Sequence, residues 1–387
     1  MFSDELERLR QENLLRRVCD RDLEATTARI LINGAEYINF SSNDYLGLAS
    51  HPSITEAAKR AIDGYGLGSG ASRLLSGGTE LHGKLERMAA EFKGTEAALV
   101  FNSGYTANIS AIPSIAGAIA GKGDVIFSDE FNHASIIDGC RLSKAKKVIY
   151  RHRDTSHLSE LIKKEEGKRK IVITDTVFSM DGDIAPLKEI SDICREHNAI
   201  VYIDDAHGTG VLGDGRGALE HFGIKPEPWP NAQIIQMGTF SKALGSYGAY
   251  IAADRDVIEW LINTARGFIY STALPASIIA ASIEALQILQ KDTILVKKLW
   301  QNRERLLKGI RELGFDTMNS ETPIIPIIVG DMETTLKFSE LLTKHNIYAP
   351  AIRPPTVKIP RIRITVTASH TEEDIDKLLD VLSKITQ

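Results

Sequence analysis

The sequence predicts an α/β protein with a large domain built on a mostly parallel sheet between helices, followed by a smaller α/β domain. Short apolar segments rich in Val and Ile alternate with amphipathic helical patterns. This alternation is typical of strands and crossover helices in a parallel sheet. The length of 387 residues also exceeds what one hydrophobic core usually supports, so more than one domain is expected.

Seven apolar segments account for the predicted large sheet. Each is a continuous apolar run, which suits a strand buried on both faces. In chain order they read EAALVFN, DVIFSD, KKVIY, KIVITDTV, AIVYIDDA, AQIIQMGT and GAYIAA. The helical patterns between them include LHGKLERMAAEFKG and LKEISDICREHN. We therefore assign residues 46–285 to the large domain.

The two ends of the chain have different patterns. Residues 1–45 are predicted as a helix followed by an arm, with Glu12 and Arg16 as an i,i+4 ion pair. The apolar side chains on one face of that helix are Leu6, Leu9, Leu14 and Val18. Residues 286–387 contain a long charged helix, two apolar strands (IIPIIVG and RIRITVTA) and a closing helix, and are predicted as the small C-terminal domain.

Composition excludes several classes of protein. The net charge of −5 argues against nucleic-acid binding, whose electrostatic footprint is basic. Three cysteines lie far apart without a CxxC pair, which favours a reducing compartment and neither disulfides nor a metal site. The N-terminus has no continuous apolar region and no segment is long enough to span a bilayer. We therefore expect a cytoplasmic protein that binds neither nucleic acid nor membranes.

Polar and glycine residues suited to catalysis or ligand binding follow several of the predicted strands. In chain order they are Gly104 and Tyr105, His133, Asp204 and His207, and Thr239 with Lys242. Ligands gather at the carboxyl ends of strands in parallel α/β sheets. The set supplies an amine, a carboxylate, two imidazoles and an anion site at a helix N-terminus. A Schiff-base cofactor with a phosphate and a pyridine nitrogen would use every one of them.

Taken singly, these residues have simpler explanations. Lys242 alone would be a surface lysine, and Asp205 is expected to be a helix N-cap. The glycine-rich run from Gly64 to Gly78 suggests dinucleotide binding. It follows a helical pattern (SITEAAKRAI) and not a strand, so the context of that motif is missing. The cofactor hypothesis therefore depends on the conjunction of residues.

Nine segments also carry a resemblance to a known family. In chain order they are NFSSNDYLGLASHP, GSGASRLLSGGTELHGKLE, FNSGYTAN, FNHASIIDG, VFSMDGDIAPL, IDDAHGTGVLG, GTFSKALGSYG, FIYSTALP and RPPTV. With these segments the chain resembles the pyridoxal 5′-phosphate (PLP) enzymes of the aspartate-aminotransferase fold (fold type I), specifically the α-oxoamine synthases. Members of this family condense an amino acid with an acyl thioester and release carbon dioxide.

The resemblance implies roles for the residues around the cofactor ring. Lys242 would form the Schiff base with the cofactor and move the proton of the substrate Cα. Asp204 would keep the pyridine nitrogen protonated, so that the ring accepts electrons. His133 would stack on the ring, and His207 would hydrogen-bond its 3-oxygen.

Other positions would hold the phosphate and complete the site. The backbone amides of Gly104 and Tyr105, with the Thr239 hydroxyl, would bind the phosphate. Thr272 would reach a phosphate across a subunit interface, so the resemblance implies a homodimer with its site at that interface. Ser179 would lie beside the cofactor and the substrate.

Substrate residues follow from the resemblance as well. Arg363 would clamp the carboxylate of the amino acid. The segments AIRPPTV and DDAHGTG resemble the branch that joins L-alanine to a pimeloyl thioester and gives 8-amino-7-oxononanoate in biotin synthesis. In that branch Arg353 and one N-terminal arginine, Arg16 or Arg17, are further functional positions. The resemblance leaves open whether the acyl group is carried as a thioester of coenzyme A or of acyl carrier protein.

Three alternatives stay open from the sequence. Another branch of the family, most of all glycine C-acetyltransferase, would use glycine with acetyl-CoA. A nicotinamide-dependent oxidoreductase would use the glycine-rich run. A non-catalytic partner subunit would need no catalytic set, and the joint presence of Lys242, Asp204 and His133 argues against it.

Overall fold

The computed structural model describes residues 2–16, 18–22, 27–117, 123–165, 169–226 and 233–385. The chain divides into two compact units. The large unit contains Leu48–Phe178 and Ile184–Val296, and the small unit contains Met1–Gly47, Ser179–Asp183 and Lys297–Gln387. The N-terminal segment therefore belongs to the same unit as the C-terminal segment, whereas the division at 45/46 and 285/286 into three domains stays a prediction.

The strands of the described residues, in chain order, are β1 (Arg29–Ile32), β2 (Ala35–Asn39), β3 (Ala97–Phe101), β4 (Asp124–Asp129), β5 (Lys146–Tyr150), β6 (Arg169–Asp175), β7 (Ile200–Asp204), β8 (Ile234–Thr239), β9 (Ala249–Ala253), β10 (Ile324–Ile327), β11 (Ile347–Tyr348), β12 (Ala351–Ile352) and β13 (Arg361–Thr365).

The α-helices are α1 (Phe2–Gln11), α2 (Pro52–Tyr65), α3 (Glu80–Lys93), α4 (Gly104–Ile115), α5 (Ala134–Leu142), α6 (Thr155–Lys163), α7 (Leu187–Glu196), α8 (Ala218–His221), α9 (Arg255–Thr264), α10 (Arg266–Ile269), α11 (Ala276–Lys291), α12 (Ile294–Glu312), α13 (Met332–Lys344) and α14 (Glu372–Ile385). Short 3-10 helices lie at Leu48–Ser50 and Gly213–Gly215.

The large unit is built on a seven-stranded sheet in the order β3-β9-β8-β7-β6-β4-β5. Its neighbouring pairs are parallel from β8 through β5, and β9 runs antiparallel to both β8 and β3. The predicted mostly parallel sheet is confirmed, and all seven predicted segments form strands in it. Every residue of β4 and β8 is buried, which explains their continuous apolar runs.

The direction of the strands decides where loops meet. Because β3 and β8 are both antiparallel to β9, their carboxyl ends lie at the same edge of the sheet. Phe101, the last residue of β3, and Thr239, the last of β8, both pair with Ala249. The carboxyl ends of β4, β6 and β7 lie at this edge as well, since these strands are parallel to β8. Residues that follow these five strands can therefore form one site.

The small unit contains two three-stranded sheets, β1-β2-β11 and β10-β13-β12. The β1–β2 hairpin turns at Asn33 and Gly34, whose φ angles are 51° and 76°. An Asn-Gly pair is the preferred sequence for such a turn, because both positions need positive φ. The second sheet and helices α12, α13 and α14 contribute most of one hydrophobic core. The predicted strands and both predicted helices of this C-terminal region are confirmed.

The N-terminal helix is shorter than the sequence suggested. Helix α1 ends at Gln11, and Asn13 adopts a positive φ of 56°, a conformation that a helix cannot continue. The predicted Glu12–Arg16 pair is therefore wrong. Instead, Arg8 lies 3.2 Å from Glu12, and Arg16 donates to the Thr356 hydroxyl. Within the part of the chain that the structure describes, no helix combines the length and apolar character needed to cross a membrane.

Candidate active site

The predicted cofactor residues of the large unit gather at the carboxyl edge of its sheet. Asp204 ends β7 and pairs in register with Asp175, which ends β6. Thr239 ends β8 and leads into the turn that carries Lys242. Two helices begin at the same edge, α4 after β3 and α5 after β4.

The carboxylate of Asp204 is deeply buried and is held by two donors. One oxygen accepts a hydrogen bond from the side-chain amide of Asn108 at 2.8 Å, and the other accepts from the backbone N–H of Ala206 at 3.0 Å. Burial raises the pKa of Asp204, although Lys242 and these hydrogen bonds act in the opposite direction. A buried carboxylate of this kind is stabilised by a cationic partner.

His133 stands at the N-terminus of α5, where two contacts fix it. Its backbone N–H donates to a carboxylate oxygen of Asp175 at 2.7 Å. Its ring nitrogen Nδ1 lies 2.8 Å from the Ser135 hydroxyl. Burial lowers the pKa of the His133 imidazole; the Asp204 carboxylate acts to raise it and Lys242 to lower it further. The ring is therefore neutral at ordinary pH and lies within electrostatic range of both groups.

Lys242 is half-buried in a tight turn between β8 and β9. Its carbonyl accepts a hydrogen bond from Gly245 N–H at 2.8 Å, and Ser246 N–H donates to the Phe240 carbonyl at 2.9 Å. Gly245 has a φ of +61°, and a Cβ there would lie 2.2 Å from the backbone nitrogen of Ala49. Only glycine fits this position, because both the conformation and the space exclude a side chain.

Groups that can donate hydrogen bonds to an anion follow β3 and β8. Gly104 and Tyr105 form the first turn of α4, whose N-cap Ser103 accepts a hydrogen bond from Thr106 N–H. The Thr239 hydroxyl lies 2.6 Å from the Ser241 hydroxyl. The free N–H groups of a helix N-terminus and nearby hydroxyls are the donors that bind phosphate groups in proteins.

His207 and Thr272 complete the predicted set in the large unit. His207 is buried just after β7. Thr272 is exposed, forms an isolated β-bridge with Ser72, and accepts a hydrogen bond from the Asn102 side chain at its carbonyl oxygen. Thr272 also lines a small pocket together with Arg73 and Asn102.

The remaining predicted residues lie in the small unit. Arg363 is buried, and its guanidinium donates to the Ser179 carbonyl at 2.6 Å and to the Asn43 side chain at 3.0 Å. Burial lowers the pKa of Arg363, while contact with Tyr45 acts to raise it. Burial in turn raises the pKa of Tyr45 to about 12, so its hydroxyl stays protonated.

Arg353 and Arg16 join the N-terminal segment to the loop at positions 353–356 of the small unit. Arg353 donates to the Leu15 carbonyl at 2.8 Å, and Arg16 donates to the Thr356 hydroxyl at 2.9 Å. The Nε atom of Arg353 is buried without a hydrogen-bond partner among the described residues. Arg17 lies outside the described residues.

Two features of the site were missed from the sequence. Asp205 is not a helix N-cap as expected, because its buried carboxylate accepts hydrogen bonds from Lys93, Thr176 and Thr209. Lys93 lies 112 positions away in the chain, so no local pattern could reveal the pair. Asn108 was also missed, although its place one helical turn after Gly104 could have suggested it.

Comparisons with known proteins agree with this geometry. The family model "Aminotransferase class I and II" matches residues 35–382. A provisionally named 8-amino-7-oxononanoate synthase from Thermodesulfovibrio yellowstonii is 54% identical, over 99% of this chain and 97% of the relative. The 8-amino-7-oxononanoate synthase of Geobacter metallireducens is 48% identical over the same shares.

Solved structures give the same picture. A serine palmitoyltransferase from S. paucimobilis with a bound PLP–myriocin aldimine superposes with a TM-score of 0.92 at 28% identity, covering 99% of this chain and 96% of that one. The 8-amino-7-oxononanoate synthase of Francisella tularensis superposes with a TM-score of 0.77 at 29% identity, covering 90% and 98%.

Proposed function

This chain belongs to the aminotransferase class I and II family, among relatives named 8-amino-7-oxononanoate synthase, and from that membership we propose that it is a PLP-dependent acyltransferase. It condenses L-alanine with a pimeloyl thioester, carried by coenzyme A or by acyl carrier protein. The products are 8-amino-7-oxononanoate, the free carrier thiol and carbon dioxide.

The residues present fit the cofactor. Burial raises the pKa of the Asp204 carboxylate, and a protonated pyridine nitrogen beside it would stabilise its charged form. The first turn of α4 at Gly104 and Tyr105, with the Thr239 hydroxyl, suits a phosphate. Lys242 offers the amine that bonds to the cofactor's aldehyde carbon. His133 and His207 would contact the ring and its 3-oxygen.

Each of these side chains has a task in the reaction. When bound, PLP supplies an electron sink for the negative charge that develops on the Cα of alanine. Asp204 holds the proton on the pyridine nitrogen by its negative charge. With PLP and alanine bound, Lys242 Nζ would remove the Cα proton and later return one. Removal of the Cα proton would need Lys242 in its neutral form, and the ammonium group formed in that step would return a proton later.

Substrate carboxylates would bind to arginines of the small unit. We assign the alanine carboxylate to Arg363, because a planar guanidinium binds a carboxylate with two parallel hydrogen bonds. Ser179 supports that role, since its carbonyl holds Arg363 Nε. Arg353 and an N-terminal arginine, Arg16 or Arg17, would contribute to the binding of the acyl donor. The buried Nε of Arg353, which has no hydrogen-bond partner in the part of the chain that the structure describes, supports this assignment.

The working assembly is a homodimer in the cytoplasm. Several apolar side chains of the large unit are exposed by half or more, which a monomer in water disfavours, and four of them lie in the same segments as Ser72 and Thr272, which form a β-bridge. These four are Leu67, Leu74, Leu75 and Tyr270. Thr272 lies two positions after Tyr270 in the chain and would contact the cofactor phosphate of the second subunit. The three cysteines are free thiols, as expected in a reducing compartment.

The main observation behind this proposal is that Lys242 and the buried carboxylate of Asp204, which accepts two hydrogen bonds, lie at the same edge of the sheet. A product assay tests the proposal. Purified protein with PLP, L-alanine and pimeloyl-CoA should release coenzyme A and form 8-amino-7-oxononanoate, detected by mass spectrometry. Lys242→Ala should form none. Turnover of glycine with acetyl-CoA, and not of alanine with pimeloyl-CoA, would assign the chain to glycine C-acetyltransferase. Failure to bind PLP, read as no visible absorption band, would contradict the enzyme assignment altogether.

A further inference from the structure

A continuous chain of hydrogen bonds, buried from Asp204 as far as Ser135, joins the two groups proposed to contact the cofactor ring. The Tyr202 hydroxyl lies 2.7 Å from Asn108 Oδ1. Asn108 Nδ2 lies 2.8 Å from Asp204 Oδ2 and 2.9 Å from Ser135 Oγ. Ser135 Oγ in turn lies 2.8 Å from His133 Nδ1. Asp204 and His133 are thus connected through Asn108 and Ser135.

The orientation of the Asn108 amide follows from its neighbours. An ionised carboxylate only accepts hydrogen bonds, so the amide NH₂ must face Asp204. The opposite orientation would bring the amide oxygen against a carboxylate oxygen. With the NH₂ group toward Asp204, its second hydrogen points to Ser135 Oγ, and the amide oxygen accepts from the Tyr202 hydroxyl.

This orientation fixes the proton of Ser135 and therefore that of His133. Ser135 Oγ accepts a hydrogen from Asn108, so its own hydrogen is free to donate to His133 Nδ1. The backbone N–H of Ser135 also donates to His133 Nδ1, at 3.3 Å. Because two donors converge on Nδ1, that nitrogen must carry a lone pair. The proton of the neutral ring is then on Nε2.

We propose that Asn108 and Ser135 are positioning residues that hold His133 as the neutral Nε2–H tautomer and join it to the carboxylate of Asp204. The proposal rests on the proposed function for its chemical meaning. A neutral His133 places no like charge beside the pyridinium that Asp204 stabilises. A cationic His133 would oppose the proton on the pyridine nitrogen through charge repulsion.

Burial and charge around His133 support the neutral form. Asn108, Ser135 and Tyr202 are each at most 2% exposed, so water does not compete for the hydrogen bonds that join them to one another and to Asp204. Burial lowers the pKa of His133. The charged groups that act on the ring are Asp204 and Lys242, and the Asp175 carboxylate accepts the backbone N–H of His133.

Nitrogen-15 NMR of protein labelled only at histidine tests the tautomer directly. The chain has 10 histidines, and the His133 signals are assigned by their loss in a His133→Gln variant. Spectra are recorded with PLP bound at about pH 8, above the ordinary histidine pKa of about 6.5. The same experiment on Asn108→Leu and Ser135→Ala removes one link each. Ser114→Ala is the control, because it removes a buried hydroxyl of α4 whose bond goes to the Ser110 carbonyl.

The wild-type protein and Ser114→Ala should show His133 with a proton on Nε2 and an unprotonated Nδ1. Asn108→Leu and Ser135→Ala should lose this single state and show exchange between both tautomers. A proton on Nδ1 in the wild type, or an unchanged Nε2–H signal in both variants, would overturn the proposal. If circular dichroism shows that a variant does not fold, the tautomer of His133 in the wild-type protein alone decides whether the proposal holds. Visible absorption of the same samples reports PLP binding, and a failure of the proposed function appears there, separately from the tautomer.

Discussion

The ammonium nitrogen of Lys93 lies 2.8 Å from a carboxylate oxygen of Asp205, and both side chains are almost wholly buried. Lys93 also donates to the carbonyl of Arg216 at 2.7 Å. Asp205 directly follows Asp204, so the ion pair anchors the segment that carries the proposed pyridine partner. Burial alone would lower the pKa of Lys93, but Asp205 and Tyr250 together more than compensate, so that the net shift is upward.

Replacing Lys93 by Met should strongly destabilise the large unit. The change leaves the Asp205 carboxylate buried without its cation, which typically costs about 3–5 kcal/mol. Urea unfolding measures the loss. Lys59→Met, which removes an exposed lysine of the same unit, should change the unfolding free energy by no more than about 0.5 kcal/mol. Equal effects of both substitutions would show that the buried pair has no special importance.

Acid should destabilise the protein through two buried histidines that share one geometry. His82 Nδ1 accepts the Thr79 N–H, and His370 Nδ1 accepts the Thr367 N–H. The other ring nitrogen of each faces a backbone carbonyl. Burial lowers the pKa of each imidazole to about 4. Protonating the folded state would put a hydrogen on Nδ1 against an N–H donor, and so is unfavourable.

The sign of the pH dependence follows from these values. Below about pH 6.5 the unfolded histidines take up protons and the folded ones do not. Stability is therefore complete above pH 6.5 and falls between pH 6.5 and pH 4, by about 2 kcal/mol per histidine at pH 5. Glutamine can still accept the hydrogen bond from the Thr367 N–H. The free energy of unfolding of His370→Gln, measured in urea, should therefore decrease less than that of the wild type between pH 6.5 and pH 5. If the free energy of unfolding of His370→Gln decreases as much as that of the wild type, His370 does not cause the pH dependence.

Arg363→Lys should impair the use of alanine. A lysine cannot keep the contacts to Ser179 and Asn43 while presenting a two-pronged donor to a carboxylate. Hydrogen bonds to charged groups contribute about 1.5–3 kcal/mol, so kcat/KM for alanine should fall about 10- to 100-fold. Arg305→Lys is the control, since Arg305 forms exposed ion pairs with Glu372 and Asp376. If both variants have the same kcat/KM for alanine, Arg363 does not bind the substrate carboxylate.

Gly245→Ala should disrupt the turn that carries Lys242. The added Cβ would overlap the Ala49 backbone in a left-handed conformation, at a cost of more than about 1 kcal/mol. We expect a lower thermal midpoint and weaker PLP binding, measured by calorimetry and visible absorption. Gly68→Ala should be tolerated, because its Cβ would have no atom within 4 Å. Normal PLP binding by Gly245→Ala would show that the turn adapts.

Local pattern predicted the strands and much of the candidate site. DVIFSD and KKVIY coincide with β4 and β5, because a buried parallel strand leaves a continuous apolar run. The end of α1 was missed because a single Asn adopts positive φ, which apolar periodicity does not report. The partners of Asp205 and Asp204 were missed because Lys93 and Asn108 come from distant helices. Such pairs depend on tertiary packing and leave no local spacing to detect.

The β8–β9 hairpin has a consequence for the order in which the site assembles. Thr239 and Ala249 pair across a short connection, so the turn with Lys242 forms by closing a small loop, at low entropic cost. Asp204 and Asn108 are separated by 96 positions, and their contact needs β3, β7 and α4 to be docked. We therefore expect the nucleophile to reach its native geometry early in folding and the carboxylate network late. Cofactor affinity would then report completion of the whole sheet, and not of the lysine turn alone.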